Sequence, residues 1–311
     1  MAMGISRRGL LAGGISLAGT AAAGYALVEA GTLPGKYRLA QALGQCGAAP
    51  PPPHGPLPVR DAATFWSAYR KRVVRMVTLI PPAAARRPGL GRLGVVVALH
   101  GLGGSALGAA SLYAPAMTQA GITRFAMITV DGGSTYWHER PDGDDPLGMI
   151  IHEVLPRAAA RGLSAARVGI IGYSMGGYGA LLLAERLGAR DAGGPRQPVA
   201  QPAAAAVAAA SPAIFASYRD AMSADPGAFA SSAEFAGNNV MDGLAALRHI
   251  PAWVSCGSID PFEAITQLLR SRLARLTGRP AAGGIAPGCH DDAFWARSAP
   301  SGLAFLGKRL G

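Results

Sequence analysis

The stretch Gly169-Ile-Ile-Gly-Tyr-Ser-Met-Gly-Gly177 decides the fold, because it predicts a buried strand, a sharp turn and a helix in succession. An apolar run at residues 168–172 leads into Gly-x-Ser-x-Gly, and residues 178–187 have the composition of a helix. A serine in such a turn stands clear of the sheet at the start of the helix, where a base can take its proton. Ser174 is therefore the candidate nucleophile.

Two residues downstream of this turn are candidate partners for the serine. In an enzyme of this architecture an acid and then a histidine follow the nucleophile, each on a loop after a strand. Asp260 follows the apolar run 251–257, and it can also cap the helix that begins after Pro261. His290 follows the short run 281–286. Weaker candidates by position are Glu263 and Asp242 for the acid, and His249 and His138 for the base.

The amides of an oxyanion hole are predicted at a second junction between a strand and a loop. The apolar run at residues 94–99 ends in His100-Gly-Leu-Gly-Gly104. A loop of this kind gives one backbone N–H, and the residue after the nucleophile gives the other. We assign these donors to Leu102 and Met175. His100 is expected to order the loop and, together with Tyr173, to lie beside the substrate.

The long loop 131–145 is predicted to wall the substrate pocket, because it follows a strand on the same sheet edge as Ser174. Trp137 is the predicted substrate contact on this loop, and the alternative is that its ring anchors the loop as a buried plug. The cluster Asp142-Gly-Asp-Asp145 lacks the full ligand pattern of a calcium loop. We therefore expect no metal and no other cofactor.

From about Val73 to its end, the chain resembles the esterase D group of α/β-hydrolases. This group includes S-formylglutathione hydrolases, feruloyl-type esterases and antigen-85-type mycolyltransferases. The resemblance is carried by His100-Gly-Leu-Gly-Gly104, Asp131-Gly-Gly-Ser-Thr-Tyr-Trp137, Ile151-His-Glu-Val-Leu-Pro156, Gly172-Tyr-Ser-Met-Gly-Gly177, Cys256-Gly-Ser-Ile-Asp-Pro-Phe262, Gly288-Cys-His290 and Phe294-Trp295. It implies a Ser-His-Asp triad and oxyanion amides at the positions assigned above. The mycolyltransferases usually carry arginine where this chain has Gly103, which disfavours a trehalose-binding transferase.

Apolar runs alternate with helical segments from residue 59 to the end of the chain. Strands are predicted at residues 72–80, 94–99, 125–130, 168–172, 204–210, 252–256 and 281–285. This rhythm predicts an α/β-hydrolase fold, with a mostly parallel sheet and helices on both of its faces. Residues 211–250 interrupt the alternation and are predicted to form a small helical cap over the site.

The composition bounds the class of protein. A chain of 311 residues with 50% hydrophobic content can bury one large core, and we expect a monomer. The net charge of +11 comes almost wholly from arginine. These arginines are scattered and not interleaved with aromatic residues, so we expect no nucleic-acid partner.

The beginning of the chain predicts export. Ser6-Arg-Arg-Gly-Leu-Leu11 opens an uncharged run, residues 9–28, which is typical of a twin-arginine signal or a membrane anchor. We therefore divide the chain into a targeting segment (1–30), a Pro-rich spacer (31–58) and a catalytic domain (59–311). Both interpretations place the protein in the periplasm or outside the cell, and the anchor interpretation adds membrane association through the targeting segment.

The three cysteines suggest a disulfide in an oxidising compartment. Cys256 and Cys289 are predicted on adjacent loops beside the acid and the base, and we hypothesise that they form the bridge. Cys46 is interpreted as structural.

Together these patterns predict an exported serine esterase that hydrolyses small-molecule or lipid carboxylic esters through an acyl-enzyme. The first alternative is an acyltransferase that moves the acyl group to a sugar or glycerol hydroxyl, since the triad is common to both reactions. The second alternative is a non-catalytic binding protein on a hydrolase scaffold.

Overall fold

An eight-stranded sheet forms the centre of the structure, a computed structural model that describes residues 36–85, 93–188 and 202–310. The strands are β1 (Val59–Ser67), β2 (Arg72–Ile80), β3 (Gly94–Leu99), β4 (Phe125–Val130), β5 (Ser164–Tyr173), β6 (Ala203–Ala210), β7 (Ala252–Gly257) and β8 (Ala282–Ala286). Their order across the sheet is β1-β2-β4-β3-β5-β6-β7-β8. β2 is antiparallel to β1 and to β4, and all other neighbours are parallel, which confirms the mostly parallel sheet.

Helices cover both faces of this sheet. They are α1 (Lys36–Ala42), α2 (Pro82–Ala85), α3 (Ala106–Gln119), α4 (Pro146–Met149), α5 (Leu155–Ala160), α6 (Met175–Gly188), α7 (Tyr218–Ala224), α8 (Ser232–Gly237), α9 (Val240–Gly243), α10 (Glu263–Thr277) and α11 (Asp292–Gly307). A π-helical turn, Ile150–Val154, joins α4 to α5, and a 3-10 turn, Leu244–Leu247, follows α9. The helices α3 and α11 pack together on one face, and α5, α6 and α10 share the core on the other.

The central strands are buried along their whole length, as parallel strands covered on both faces should be. All six residues of β3 and all six of β4 are buried. β1 differs, because it lies at the sheet edge and eight of its nine residues are exposed or half-buried. No sequence pattern predicts β1, because an exposed edge strand lacks the apolar run that identifies the other strands.

The segment 211–250 contains the predicted helices, α7 to α9, and packs against the loop 131–145 and the helix α6. Phe229 lies at the centre of this contact, where its ring meets those of Tyr136, Tyr178 and Phe235. The carboxylate of Glu234 lies 3.3 Å from Nδ1 of the buried His138. An aromatic cluster and a buried polar contact therefore hold these helices to the domain.

Residues 36–58, which we call the N-terminal arm, lie against the catalytic domain. Oγ1 of Thr118 donates to the Pro56 carbonyl at 3.1 Å, and Nε2 of Gln119 donates to the Pro51 carbonyl at 3.1 Å. The Pro-rich part of the predicted spacer lies along the domain, because two of its proline carbonyls accept hydrogen bonds from α3. The predicted targeting segment lies outside the described residues. Within residues 36–85, 93–188 and 202–310, no helix has both the length and the apolar character needed to cross a bilayer.

Candidate active site

Ser174 lies in the sharp turn between β5 and α6. Its φ of 55° is in the left-handed region, which a residue other than glycine adopts only when its surroundings enforce it. Close packing enforces it here: a Cβ at Gly172 would collide with the backbone of Gly176, and a Cβ at Gly176 would collide with the carbonyl of Leu99. The two glycines therefore permit the turn that presents the Ser174 hydroxyl.

The structure brings Ser174, His290 and Asp260 into one chain of hydrogen bonds. Oγ of Ser174 lies 2.8 Å from Nε2 of His290. Nδ1 of the same ring lies 2.9 Å from Oδ2 of Asp260. With the carboxylate accepting from Nδ1–H, Nε2 is left with the lone pair that a general base needs.

Asp260 is buried at the end of β7, with 6% of its surface exposed. Its second oxygen, Oδ1, accepts a bond from the N–H of Phe262 at 2.8 Å, so the carboxylate also fixes the turn before α10. Burial by itself raises the pKa of Asp260, but hydrogen bonding and charge from His290, with smaller effects of Ser211 and Phe262, hold this pKa below its ordinary value. The geometry therefore favours an ionised carboxylate facing the imidazole.

The weaker candidates lie elsewhere. Oε1 of Glu263 contacts Gln267 on α10, and Oδ2 of Asp242 accepts from Asn239. Nε2 of His138 lies 3.0 Å from the Ala228 carbonyl, in the contact that holds the inserted helices. His249 lines a separate cavity beside the beginning of β7.

The two predicted oxyanion donors flank the nucleophile. Met175 begins α6, so its N–H is among those that a helix start leaves without an acceptor inside the helix. Leu102 lies on the loop after β3 and lines the cavity at Ser174, with its side chain 51% exposed. The roles of both amides remain predictions.

Ser174 opens into a cavity of ≈ 740 Å³. Its walls come from the loop 101–104, from α3, from the beginning of α11 and from Ala49 of the N-terminal arm. Most of the lining is apolar, and Asp292 is its one carboxylate among the described residues. None of the residues 211–250, all of which are described, lines this cavity, so the inserted helices do not cap it as expected.

Tyr173 lines the cavity as predicted, but Trp137 and His100 do not. Trp137 is fully buried, and its Nε1–H donates to the carbonyl of His100 at 3.2 Å. The ring of Trp137 fills the space above Gly132 and Gly179, where a Cβ would collide with it. The predicted substrate contact is therefore wrong for Trp137, which is the buried plug that the alternative described.

His100 is equally buried and orders the loop. Its Nε2 accepts a bond from the N–H of Gly132 at 2.9 Å, and its Nδ1 lies 2.8 Å from the carbonyl of Gly101. This pattern selects the neutral tautomer with hydrogen on Nδ1, and burial lowers the pKa of His100. The predicted substrate contact is wrong for His100, whereas its expected role in ordering the loop fits these bonds.

The disulfide joins Cys46 to Cys289, so the hypothesis of a Cys256–Cys289 bridge is wrong. Cys256 is a free, buried thiol next to Thr266 and Asp260, and burial strongly raises its pKa. The side chain of Cys289 is also buried, but it meets the N-terminal arm. The two cysteines lie on adjacent loops, but Cys256 faces Thr266 and Asp260, whereas Cys289 faces the N-terminal arm.

Sequence reasoning missed two aromatic residues around the imidazole. Trp295 on α11 meets the His290 ring edge-on at 5.1 Å between centroids, and it stacks on Tyr173 at 4.6 Å. Phe262 lies 5.2 Å from the same imidazole. Both residues belong to segments that carry the resemblance to the esterase D group, but no sequence pattern predicted their contact with the imidazole.

The sheet order and the sharp turn at Ser174, at the end of the central strand β5, are those of the α/β-hydrolase fold. Residues 67–190 match the model of the esterase family, described as "Putative esterase". The comparison with curated protein sequences gave no match. This family match supports an esterase.

Several solved structures share this fold. A ferulic acid esterase superposes with a TM-score of 0.64 at 18% identity, over 81% of this chain and 98% of that one. The fluorophosphonate-binding serine hydrolase F of Staphylococcus aureus has a TM-score of 0.64 at 17% identity, over 81% and 99%. An S-formylglutathione hydrolase from Agrobacterium tumefaciens has a TM-score of 0.59 at 16% identity, over 81% and 95%.

Proposed function

We propose that this protein is a serine esterase that hydrolyses carboxylic esters through an acyl-enzyme on Ser174. The observation that carries the proposal is the series of hydrogen bonds from Ser174 Oγ through His290 to Asp260, in which Ser174 and His290 line a largely apolar cavity. A binding protein does not need a base and an acid aligned at a strained serine. These hydrogen bonds therefore favour a catalytic function over a binding function.

The first half of the reaction forms the acyl-enzyme. Nε2 of His290 takes the hydroxyl proton as Oγ of Ser174 attacks the ester carbonyl, whose π electrons move onto the oxygen. The N–H groups of Leu102 and Met175 stabilise this oxyanion, and one such donor is typically worth about 3 to 4 kcal/mol of barrier. The tetrahedral species then collapses, the C–O bond to the alcohol breaks, and the leaving oxygen takes the proton from Nε2.

The second half regenerates the serine. Water gives a proton to Nε2 and attacks the acyl carbonyl, and collapse of the second tetrahedral species returns that proton to Oγ and releases the acid. Throughout, the Asp260 carboxylate holds the imidazole in position and stabilises its cation. Ala49 and Leu102 are exposed where they line the cavity, which favours water as the acceptor over a larger alcohol.

The first experiment is labelling with a fluorophosphonate, followed by peptide mapping and a p-nitrophenyl acetate assay. We expect one adduct, on Ser174, and loss of both label and turnover in Ser174→Ala, with kcat at least about 10³-fold lower. Ser271→Ala, which removes an exposed hydroxyl on α10, is the matched control and should label like the parent. A folded parent that takes no label on Ser174 would overturn the proposal.

We also propose that the chain is exported through its Arg7-Arg8 segment. The Cys46–Cys289 bridge supports this, because such bonds persist in oxidising compartments. Full-length chain and the variant Arg7→Lys/Arg8→Lys should be compared by cell fractionation. The parent should be found outside the cytoplasm and the variant inside it, and equal cytoplasmic retention of both would refute the proposal.

A further inference from the structure

The N-terminal arm is attached beside the candidate base. Cys289 immediately precedes His290, and its disulfide to Cys46 brings the two Cα atoms to 4.9 Å. Both cysteines are buried and pack with Ala40 of the arm and Ile259 of the loop after β7. The arm is therefore covalently joined to the loop that carries the imidazole.

Arg297 on α11 holds the arm a second time. Its guanidinium donates to the carbonyl of Cys46 at 2.9 Å and to that of Ala48 at 2.5 Å. It also donates to the carbonyl of Pro287 at 3.3 Å, so one side chain joins the arm to the loop before His290. A Cβ at Gly47 would lie only 3.2 Å from this guanidinium. The φ of Gly47 is 78°, which is a conformation that glycine adopts without strain.

Beyond Ala48 the arm crosses from α11 to α3, where Gln119 and Thr118 bind its proline carbonyls. Ala49 lies between these two attachments and lines the cavity that contains Ser174. Five other lining residues are apolar or small, namely Leu102, Gly108, Leu112, Ala293 and Ala296, and Ser111 and Asp292 are the polar ones outside the candidate triad and Tyr173. The arm thus contributes part of the largely apolar wall of this cavity.

We propose that the N-terminal arm is the outer wall of the substrate cavity and sets the length of the apolar portion of the ester. This inference rests on the proposed function. The alanine and glycine residues in this wall leave room for an alkyl portion, and the bridge and Arg297 hold the arm in place beside the loop that carries His290. An ester too short to reach Ala49 gains nothing from the arm.

The test adds bulk at two positions of the same arm. Ala49→Phe places a ring in the cavity, whereas Ala42→Phe adds the same ring to an exposed position of α1 that does not line it. Each protein is assayed with p-nitrophenyl esters of increasing acyl length and with acetates of increasing alcohol length. Since the orientation of the ester is not fixed by the cavity, either series can respond.

For Ala49→Phe we expect kcat/KM to fall by about fourfold for each methylene displaced. The loss should be confined to the longer members of one series and should come from KM. Ala42→Phe should follow the parent throughout. Superimposable profiles of Ala49→Phe and the parent in both series would overturn the proposal.

Removal of the bridge is the second test. In Cys46→Ser/Cys289→Ser the longer esters should lose their advantage over the acetate, while fluorophosphonate still labels Ser174 and so shows a folded site. An unchanged length profile in this variant also counts against the arm. If the parent itself neither labels nor turns over, the proposed function fails; if the parent is active and both length profiles are unchanged, the arm proposal alone fails.

Discussion

Replacing Glu185 by glutamine should change how the stability of this protein depends on pH. Glu185 lies on α6, is 6% exposed, and faces Gly243 so closely that a Cβ there would collide with its carboxyl group. Burial raises the pKa of Glu185 to about 9; Arg186 lowers the pKa and Asp242 raises it, both to a smaller extent. The carboxyl is therefore protonated in the folded protein at neutral pH.

The sign of the effect follows from proton linkage. Between the ordinary pKa of 4.5 and the folded value of about 9, the folded state keeps a proton that the unfolded state releases. The free energy of unfolding therefore falls as pH rises, by about 1.4 kcal/mol for each pH unit. By pH 7 this loss amounts to about 3 kcal/mol.

The measurement is urea unfolding followed by circular dichroism at pH 5, 7 and 8.5. Glu185→Gln removes the titration, so the variant should exceed the parent by about 1 kcal/mol or less at pH 5 and by about 3 kcal/mol at pH 7. Glu139→Gln, which removes an exposed carboxyl, is the control and should retain the slope of the parent. A difference between Glu185→Gln and the parent that stays constant from pH 5 to 8.5 would refute the reasoning.

Three further changes test the site and its supports. Asp260→Asn should lower kcat for p-nitrophenyl acetate about 10⁴-fold, because the imidazole loses its orienting carboxylate; a change in KM alone would contradict this. Trp137→Ala should lower the free energy of unfolding by about 3 to 5 kcal/mol in urea, and a loss below about 1 kcal/mol would argue against a buried plug. Gly176→Ala should yield little soluble protein, since its Cβ meets the Leu99 carbonyl, whereas Gly237→Ala, with open space around it, should retain the parent's yield and gain up to about 1 kcal/mol; equal yields of both would refute the close packing.

The parallel centre of the fold could be predicted because its residues carry the signal themselves. β3 and β4 are short apolar runs between turns, and their predicted bounds match those of the structure. β6 was found although alanine is a weak strand former, because its apolar run follows the strand-and-helix rhythm. β1 was not predicted because pairing with β2, rather than burial of an apolar run, stabilises it.

The candidate site was predictable in its order along the chain but not in its surroundings. A strand end tells where Asp260 and His290 lie, because parallel strands bring their carboxyl ends to one edge. The position of a strand end does not predict the direction of a side chain on the following loop. Trp137, with a φ of 64°, points inward and is fully buried. Nor does a strand end connect Cys46 to Cys289, whose separation of 243 residues no local pattern spans.

The late position of Cys289, His290 and α11 in the sequence determines when the cavity can be completed during synthesis. Cys46 leaves the ribosome early, but its partner follows 243 residues later, together with the imidazole and α11. Until those residues emerge, the arm lacks the hydrogen bonds from Arg297 on α11, and Ser174 lacks its candidate base, His290. A nascent chain that already contains the turn at Ser174 therefore still lacks the candidate base, and one later segment supplies both His290 and the helix that holds the arm.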